Sequence, residues 1–330
     1  MAEKSNKITM LEAVTQAMAW ELEHDDSVVV FGEDVGANGG VFRATDGLQK
    51  RFGEERVFDT PLAEAMIAGL CVGAAAQGLK PVGEIQFSGF MYPAVDQLVS
   101  HASRLRTRTR GRLTCPMVLR APSGGGIHAP EHHSESMEAM YAHIPGLKVV
   151  MPSSPRRAYG LLLAAIRDPD PVVFLEPKRI YRITQQDVPD DGEALPLETC
   201  FVLREGSDVT LVSWGAMMHE TLKTAKELAD EGIECEVIDA ACLKPLDMET
   251  ILESVERTGR LVIVAEEPRS CGVGAEIAAE VAEKALYSLR APIERVSGYD
   301  TVMPLFRLEY EYLPSVSRIK AAVKRSMEAE

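Results

Sequence analysis

The sequence predicts an α/β protein of two domains, each a mostly parallel sheet covered by helices. Apolar runs of strand length, such as residues 28–31, alternate with helical patterns, as expected of strands buried on both faces of a parallel sheet. The chain of 330 residues is also longer than one ordinary domain. The alternation breaks at a polar stretch before residue 200 and then resumes. We therefore expect an N-terminal domain over 1–182, a linker over 183–200 and a C-terminal domain over 201–330.

The individual elements follow from periodicity and from capping signals. A first helix opens at a capping box, Thr9 with Glu12 three residues later. In the N-terminal domain we expect strands at 28–31, 57–58, 81–87, 117–121, 148–151 and 172–175, and helices at 62–77, 90–106, 134–142 and 155–167. In the C-terminal domain we expect strands near 208–213, 234–238, 261–265 and 293–296, and helices near 217–231, 247–257, 273–288 and 315–328.

Composition excludes several classes of function. A formal net charge of −15 argues against a nucleic-acid partner, because binding phosphates needs a basic face. No apolar run reaches the roughly 18 residues that a membrane span needs, and the polar first residues predict no signal peptide. The six cysteines include no CxxC pair, so we expect a reducing, cytoplasmic location and no metal–thiolate site.

Glu64 is the strongest candidate for chemistry. It ends the hexapeptide DTPLAE (residues 59–64), in which Pro61 suits the first position of a helix. Residues 65–76 are small and almost wholly apolar, with Gly69 and Gly73 four apart. Apolar surroundings favour the protonated form of a carboxyl group, which could then exchange a proton with a bound heterocycle. A carboxylate that only complements the helix dipole is the alternative.

The segments around this hexapeptide carry a family resemblance. Together with GEDV (residues 32–35) and GEIQF (residues 83–87), DTPLAE resembles the beta chains of the thiamine-diphosphate-dependent 2-oxo acid dehydrogenases, above all those of the pyruvate dehydrogenase decarboxylating component. The resemblance runs from Ile8 to the last helix. It implies a transketolase-like pyrimidine-binding domain followed by a transketolase C-terminal-like domain.

The same resemblance implies an activity. The expected reaction is oxidative decarboxylation of a 2-oxo acid, with transfer of the acyl group to a lipoyl group. Pyruvate is the expected substrate, and branched-chain 2-oxo acids or acetoin are the alternatives. A non-catalytic assembly or regulatory chain of the same fold is an alternative of another class, against which the presence of Glu64 speaks.

The resemblance also assigns roles to residues around the cofactor. Glu64 would hydrogen-bond a pyrimidine ring nitrogen of thiamine diphosphate and favour the imino tautomer. Glu33 would be a second acidic residue, coupled electrostatically to Glu64 so that the pKa of one of the pair rises. Gln86 and Phe90 would line the aminopyrimidine ring through a hydrogen bond and an aromatic face. Phe90 as a plain core residue and Glu33 as a plain strand-end carboxylate are the alternatives.

Three histidines occur in one glycine-rich segment, residues 122–134. His128 and His132 have the i, i+4 spacing that could bind zinc on a helix, but three glycines and Pro130 predict a loop. The resemblance implies that this is a catalytic loop with His133 at the active-site position, and His132 stays open as the alternative. Histidine suits the role because it can donate a hydrogen bond and titrates near neutral pH.

Partners follow from a missing motif. The family holds the magnesium and diphosphate of the cofactor with Gly-Asp-Gly and a distant Asn, and this chain has no Gly-Asp-Gly and no Asn after position 38. A separate alpha chain is therefore expected to bind Mg²⁺ in an assembly of two alpha and two beta chains, with Gly69 and Gly73 at a subunit contact. The family also meets a lipoyl domain and the subunit-binding domain of a dihydrolipoyl acyltransferase. For the latter we expect an acidic surface formed by Glu276, Glu280, Glu283, Glu309 and Glu311.

A potassium ion is the last expectation from the resemblance. Family members often hold potassium at positions that match Met117, Ala165, Asp168 and Asp170. The family usually has Asp-Asn at the turn, whereas this chain has Asp-Pro-Asp. An ordinary turn is therefore the alternative.

Overall fold

The computed structural model describes residues 7–329. Its strands are β1 (Lys7–Thr9), β2 (Val28–Gly32), β3 (Val57–Asp59), β4 (Lys80–Glu84), β5 (Val118–Ser123), β6 (Lys148–Val150), β7 (Val172–Pro177), β8 (Gln185–Asp187), β9 (Phe201–Arg204), β10 (Val209–Ser213), β11 (Cys235–Asp239), β12 (Cys242–Lys244), β13 (Leu261–Pro268) and β14 (Glu294–Gly298). Its α-helices are α1 (Met10–His24), α2 (Leu48–Phe52), α3 (Glu64–Ala76), α4 (Val95–Ser100), α5 (Leu105–Arg108), α6 (Glu138–Ala142), α7 (Pro155–Arg167), α8 (Met217–Ala229), α9 (Met248–Thr258), α10 (Val273–Lys284), α11 (Glu309–Tyr312) and α12 (Val316–Glu328).

The N-terminal domain is built on a sheet with the strand order β12-β6-β7-β5-β4-β2-β3. All its neighbours are parallel except β12, which pairs antiparallel with β6. Alternate residues of one strand enter different cores: Val28 and Val30 pack on the side of α1 and α7, whereas Val29 and Phe31 pack on the side of α3. The strands are therefore buried on both faces, which is why their sequences are continuously apolar.

Helix α3 packs unusually close to this sheet. A Cβ atom on Gly83 of β4 would lie 2.6 Å from Cys71 Sγ of α3, closer than real carbon atoms approach a sulfur. The small residues of α3 and the glycine of β4 permit this approach. Because α3 carries Glu64 at its first position, this packing also fixes where that carboxyl group lies.

The C-terminal domain has a five-stranded sheet in the order β14-β13-β10-β11-β9. Four strands are parallel, and β9 pairs antiparallel with β11 at the edge. Helices α8 and α12 contact one another and the strands, and α9 packs against α10. The predicted fold of two mostly parallel sheets covered by helices is thus confirmed.

Some elements differ from the sequence prediction. The helix expected at 90–106 divides into 3₁₀ turns and the short helices α4 and α5, because His101 leaves the helical region at φ −124°, ψ −65°. The helix expected at 134–142 shortens to α6. The carbonyl of Glu135 accepts hydrogen bonds from Gly124 N–H (2.9 Å) and Ser88 Oγ (2.8 Å), which hold residues 134–137 outside the helix.

Two strand pairings tie the linker and the C-terminal half of the sequence to the N-terminal domain. Strand β8, inside the predicted linker, pairs antiparallel with β1 at the start of the N-terminal domain. Strand β12 belongs to the C-terminal half of the sequence but extends the N-terminal sheet. The predicted boundaries at 182 and 201 stay a prediction, and the outer limits at 1 and 330 lie outside the described residues. Within residues 7–329, no helix has the length and apolar character to cross a membrane.

Candidate active site

The candidate residues gather at one edge of the N-terminal sheet. Glu33 directly follows β2, Glu64 comes five residues after β3, Gln86 comes two residues after β4, and His133 lies in the segment after β5. These four strands are parallel neighbours, so their carboxyl ends meet at the same edge. Ligands of open α/β sheets bind at this edge.

Glu64 is the first residue of α3. The helix begins there and not at Pro61, because Ala63 has the non-helical dihedrals φ −154° and ψ 84°. The N–H of Thr60 donates to the carbonyl of Gly32 at 2.9 Å, which ties the start of the hexapeptide to the end of β2. The Glu64 side chain is half-buried in the single chain.

Glu33 is the more buried of the two acids. Only 4% of it is exposed, and its Oε1 atom has no hydrogen-bond partner among residues 7–329. Burial raises the pKa of Glu33 to about 7, and the neighbouring carboxylates of Glu64, Asp34 and Glu84 add to the shift. The raised pKa that we expected for one member of the pair therefore belongs to Glu33.

His133 lies between two aromatic rings. Its ring centroid is 4.4 Å from that of Phe87 and 4.9 Å from that of Phe90. The Nδ1 atom is 2.8 Å from the carbonyl oxygen of Glu131. Because a carbonyl only accepts, Nδ1 carries a proton, and Nε2 remains for a bound molecule. Phe90 also packs against the apolar core, so it serves the core and borders the candidate site at once.

The other two histidines point to different neighbours. The His132 ring is exposed and lies 6.3 Å from Tyr92. His128 Nε2 is 3.6 Å from Glu309 of the C-terminal domain, and its ring contacts Tyr310. The three histidines thus share no common centre. In the part of the chain that the structure describes, no group of three His, Cys, Asp or Glu side chains could hold a metal ion.

Gln86 contacts the acidic side of the site. Its Nε2 atom donates to Asp34 Oδ2 at 3.4 Å, so a single short segment, residues 86–90, borders both the acids and His133. Asp34 has a φ of 58°, a left-handed conformation that is uncommon outside glycine and often found at functional sites.

Lys178 was missed by the sequence reasoning. It follows β7, is 4% exposed, and donates through Nζ to the carbonyl of Gly124. Its ammonium also lies 5.9 Å from the ring centroid of Phe87. Burial lowers the pKa of Lys178 to about 8, although carboxylates of Glu266 and Glu309 oppose the shift. A lysine that directly follows a strand beginning with four apolar residues, Val172 to Leu175, is the signal that could have found it.

The donor set fits the pyrimidine end of thiamine diphosphate. A buried carboxyl oxygen without a partner on Glu33, a carboxyl group on Glu64 and the aromatic face of Phe90 suit a planar heterocycle with ring nitrogens. The same surroundings are acidic, with Asp34 and Glu84 nearby. They do not suit a diphosphate, which needs cations or backbone N–H groups.

The residues expected around potassium form a turn with cationic partners. Asp168 ends α7 and accepts from Lys148 Nζ at 2.6 Å, and Asp170 accepts from Arg106 Nε at 2.7 Å. The carbonyl of Met117 accepts from Val172 N–H at 2.9 Å, and Ala165 is buried within α7. Since both carboxylates are already paired, a potassium ion would depend on main-chain carbonyls, and the site stays a prediction.

Comparisons with known proteins identify the family. Residues 6–184 match the family model of the transketolase pyrimidine-binding domain, and residues 198–319 match that of the transketolase C-terminal domain. A protein of Acholeplasma laidlawii named pyruvate dehydrogenase E1 component subunit beta is 52% identical over 98% of both chains. The chain belongs to the family of pyruvate dehydrogenase E1 component beta subunits.

Other comparisons agree with this membership. The protein of the same name from Bacillus subtilis (strain 168) is 48% identical over 98% of this chain and 99% of its own. Among solved structures, a split-gene transketolase described as an inactive beta4 tetramer aligns with a TM-score of 0.79 at 23% identity. It covers 98% of this chain and 99% of its own. At that identity the likeness shows the fold alone. The family resemblance inferred from the sequence is thus confirmed.

The raised pKa of Glu33 predicts a pH-dependent stability. In the folded chain this carboxyl titrates at about 7, against an ordinary value of 4.5, so the stability linked to its proton is present below about pH 4.5 and is lost as the pH rises through 7. Replacing Glu33 with Gln removes this loss. Between pH 5 and 8 the free energy of unfolding should therefore shift by about 1–3 kcal/mol in favour of the variant.

Urea unfolding at several pH values measures this effect, with Glu54→Gln as the control because Glu54 is an exposed turn residue. A difference between Glu33→Gln and the parent that stays constant from pH 5 to 8 would contradict the burial of an unpaired carboxyl group at Glu33.

Proposed function

We propose that this chain is the beta subunit of a thiamine-diphosphate-dependent pyruvate dehydrogenase and works with a separate alpha chain. One observation carries the proposal. The interacting acids Glu33 and Glu64 and the cluster of Phe87, Phe90 and His133 all follow the carboxyl ends of neighbouring parallel strands. Proteins named for this role, 52% and 48% identical over 98% of this chain, support it.

Each residue would have a distinct task. Thiamine diphosphate, when bound, supplies the carbon that attacks the keto group and the electron sink for decarboxylation. Glu64 would share a proton with a pyrimidine ring nitrogen. Glu33, protonated up to about pH 7, would keep negative charge low beside Glu64. Phe90 would offer an apolar face, and Gln86 a hydrogen bond.

His133 would serve the later acyl transfer. Its Nδ1 proton is donated to the Glu131 carbonyl, so Nε2 is the atom that could donate to a developing oxyanion or accept a proton. The aromatic walls of Phe87 and Phe90 restrict water around it. Transfer to a lipoyl group would then bring a lipoyl domain to this edge of the sheet.

The outer face of α3 supports an alpha partner. Leu62 is 76% exposed, Met66 41% and Leu70 39%, and a Cβ on Gly73 would meet no atom of this chain within 4 Å. An apolar stripe of this kind beside a half-built site favours a subunit contact. We propose an assembly of two alpha and two beta chains, in which the alpha chain supplies the Mg²⁺ and diphosphate ligands that the acidic site lacks.

A dihydrolipoyl acyltransferase is the second proposed partner. Glu276, Glu283 and Glu311 are exposed on the C-terminal domain. Glu309, which we expected on the same surface, is only 1% exposed, because its carboxylate binds backbone N–H groups of the N-terminal domain. The expectation that Glu309 belongs to the acidic docking surface is therefore wrong.

Two finer points stay proposals. A cytoplasmic location is supported by six cysteines that form no disulfide in the described chain, five of them buried. Bound potassium would be tested by thermal unfolding in potassium against sodium buffers, and equal midpoints would argue against it.

Replacing Glu64 with Gln tests the proposed function. The amide keeps the shape of the side chain but removes its titratable proton, so the turnover of pyruvate by the complex with the alpha chain should fall about 100-fold or more. Assembly should be unchanged, with Glu54→Gln again as the control. A panel of branched-chain 2-oxo acids and acetoin in the same assay decides the substrate. Near-normal turnover by Glu64→Gln would contradict the assignment and favour a non-catalytic chain.

A histidine series tests which ring serves the chemistry. His133→Ala should reduce acyl transfer to a lipoyl domain most, because only His133 lies between Phe87 and Phe90. His132→Ala, on the exposed neighbouring residue, is the matched control. A normal His133→Ala enzyme together with a crippled His132→Ala enzyme would reverse the choice between them.

Enlarging Gly73 tests the subunit contact. Gly73→Leu should not lower the unfolding midpoint of the isolated chain, since the position faces open space and leucine favours a helix more than glycine does. It should weaken assembly with the alpha chain, because a larger side chain overpacks a close contact. Light scattering measures the mass, and Lys223→Leu, at an exposed position of helix α8 in the other domain, controls for non-specific association. A Gly73→Leu complex of full mass would contradict the proposal.

Salt dependence tests the docking surface. If Glu276, Glu283 and Glu311 attract a basic subunit-binding domain, its association should slow and weaken as ionic strength rises. Surface plasmon resonance from about 50 to 500 mM salt measures this change, and the triple Gln variant should lose most of the salt effect. An affinity that is independent of salt would leave these glutamates without a docking role.

A further inference from the structure

The segment that carries His133 is strained. Within residues 124–133, which we call the histidine loop, Gly124 and Gly126 have φ values of 79° and 85°, and His128 and His132 have φ values of 58° and 66°. Residues other than glycine seldom adopt the left-handed region, and holding them there costs free energy. Contacts from outside the loop must therefore hold this conformation.

The main contacts come from a single carboxylate of the C-terminal domain. Glu309 of α11 accepts from Gly126 N–H through Oε1 at 2.6 Å and from His128 N–H through Oε2 at 3.0 Å. Glu266 of β13 accepts from Gly125 N–H beside them. Three backbone donors of the loop are thus bound by two acids from another domain. Hydrogen bonds to a charged acceptor are about twice as strong as neutral ones.

Glu309 is only 1% exposed, so its carboxylate is a buried charge and not a solvated surface charge. The buried ammonium of Lys178 interacts electrostatically with this carboxylate. The same ammonium donates to the carbonyl of Gly124 at the start of the loop. Glu266, Glu309 and Glu135 all act electrostatically on that lysine. Two acids and one lysine therefore hold the loop backbone through hydrogen bonds.

The three consecutive glycines fit the close packing of these side chains against the loop backbone. A Cβ on Gly124 would lie 2.8 Å from Glu266 Oε1, and one on Gly125 would lie 2.7 Å from Met303 Cε and 3.3 Å from Glu309 Oε1. The glycines let the two domains approach the loop backbone closely. Their presence reflects close packing against the carboxylates and not mobility.

We propose that Glu309 is a positioning residue: by binding the N–H groups of Gly126 and His128 it holds the histidine loop in its strained form and so aims His133 at Phe87 and Phe90. The inference rests on the proposed function of His133 for its catalytic consequence. Its structural half, that Glu309 orders the loop, stands on the contacts alone.

The test compares Glu309→Gln with Glu311→Gln in the purified complex with the alpha chain. The two residues are two positions apart on α11, but Glu311 is exposed and makes no hydrogen bond to the loop among the described residues. A glutamine at 309 sets an N–H₂ group against one of the two backbone donors. Hydrogen exchange should therefore accelerate across 124–133 in Glu309→Gln and stay at the parent rate in Glu311→Gln.

Kinetics supply the second readout. The kcat for acyl transfer from pyruvate to a lipoyl domain should fall about tenfold or more in Glu309→Gln, as expected for a misplaced catalytic group, with KM for pyruvate within about twofold. In a His133→Ala background the same substitution should cause no further loss, because both act through one side chain.

Failures of the two proposals are distinguishable. Unchanged exchange in the loop of Glu309→Gln would overturn the positioning role, whatever the turnover. Faster exchange spread through both domains would also overturn it, since it would mean general destabilisation. Fully additive losses in the double variant would overturn the route through His133. Normal turnover of His133→Ala would instead remove the proposed function of that histidine. If Glu309→Gln does not fold, Glu309→Asp, which keeps the charge but is shorter, replaces it under the same criteria.

Discussion

The structure of the candidate site depends on one buried guanidinium. Arg120 of β5 is 0% exposed, and it donates to Glu84 of β4 at 2.8 Å and to Glu176 of β7 at 2.6 Å. It therefore connects three adjacent strands of the sheet. Such a network adds little net stability over apolar residues, but removing one partner strands a buried charge at a cost of about 3–5 kcal/mol. Because a shift of one strand would leave a buried charge without its partner, this cost fixes the relative register of the three strands.

That register decides where the functional groups lie. Two residues beyond Glu84 the chain reaches Gln86, and two residues beyond Glu176 it reaches Lys178. Between these strands, β5 continues into the histidine loop. Tyr181 also donates its hydroxyl to Glu176, which draws the segment after β7 towards the same centre. A shift of any one strand would move its active-site segment relative to the other two.

The second constraint is the joining of the domains. Strand β12 completes the N-terminal sheet, and Trp214 of the C-terminal domain donates to the buried Glu138 of α6 at 3.1 Å. Burial raises the pKa of Glu138 and of Glu267, and the charge of Glu138 adds to the shift of Glu267. Together with Glu309, these contacts make the conformation of the histidine loop a property of both domains. The histidine loop of one domain is thus shaped by side chains of the other.

These constraints explain how much the sequence could predict. The two sheets, α1 with its capping box and the strand-end positions of Glu33 and Glu64 follow from local periodicity and short-range signals. The division of residues 90–106, the pairing of β12 with β6 and the burial of Glu309 depend on contacts between residues far apart in the chain. In its own sequence neighbourhood Glu309 resembles the exposed Glu311, and only the distant N–H groups of Gly126 and His128 separate the two.

The surroundings of Glu64 are incomplete in the single chain. The sequence suggested that apolar surroundings would enclose Glu64, yet here the residue is half-buried and the apolar side chains nearby, Leu62 and Met66, face outward. Their exposure supports the proposal that another chain covers α3 and completes the enclosure. The acidity around Glu33 leads to the same conclusion, since it suits a heterocycle but not a diphosphate. The residues that suit a heterocycle and the exposed apolar side chains therefore lie next to one another around Glu64, and the proposed alpha chain would cover both.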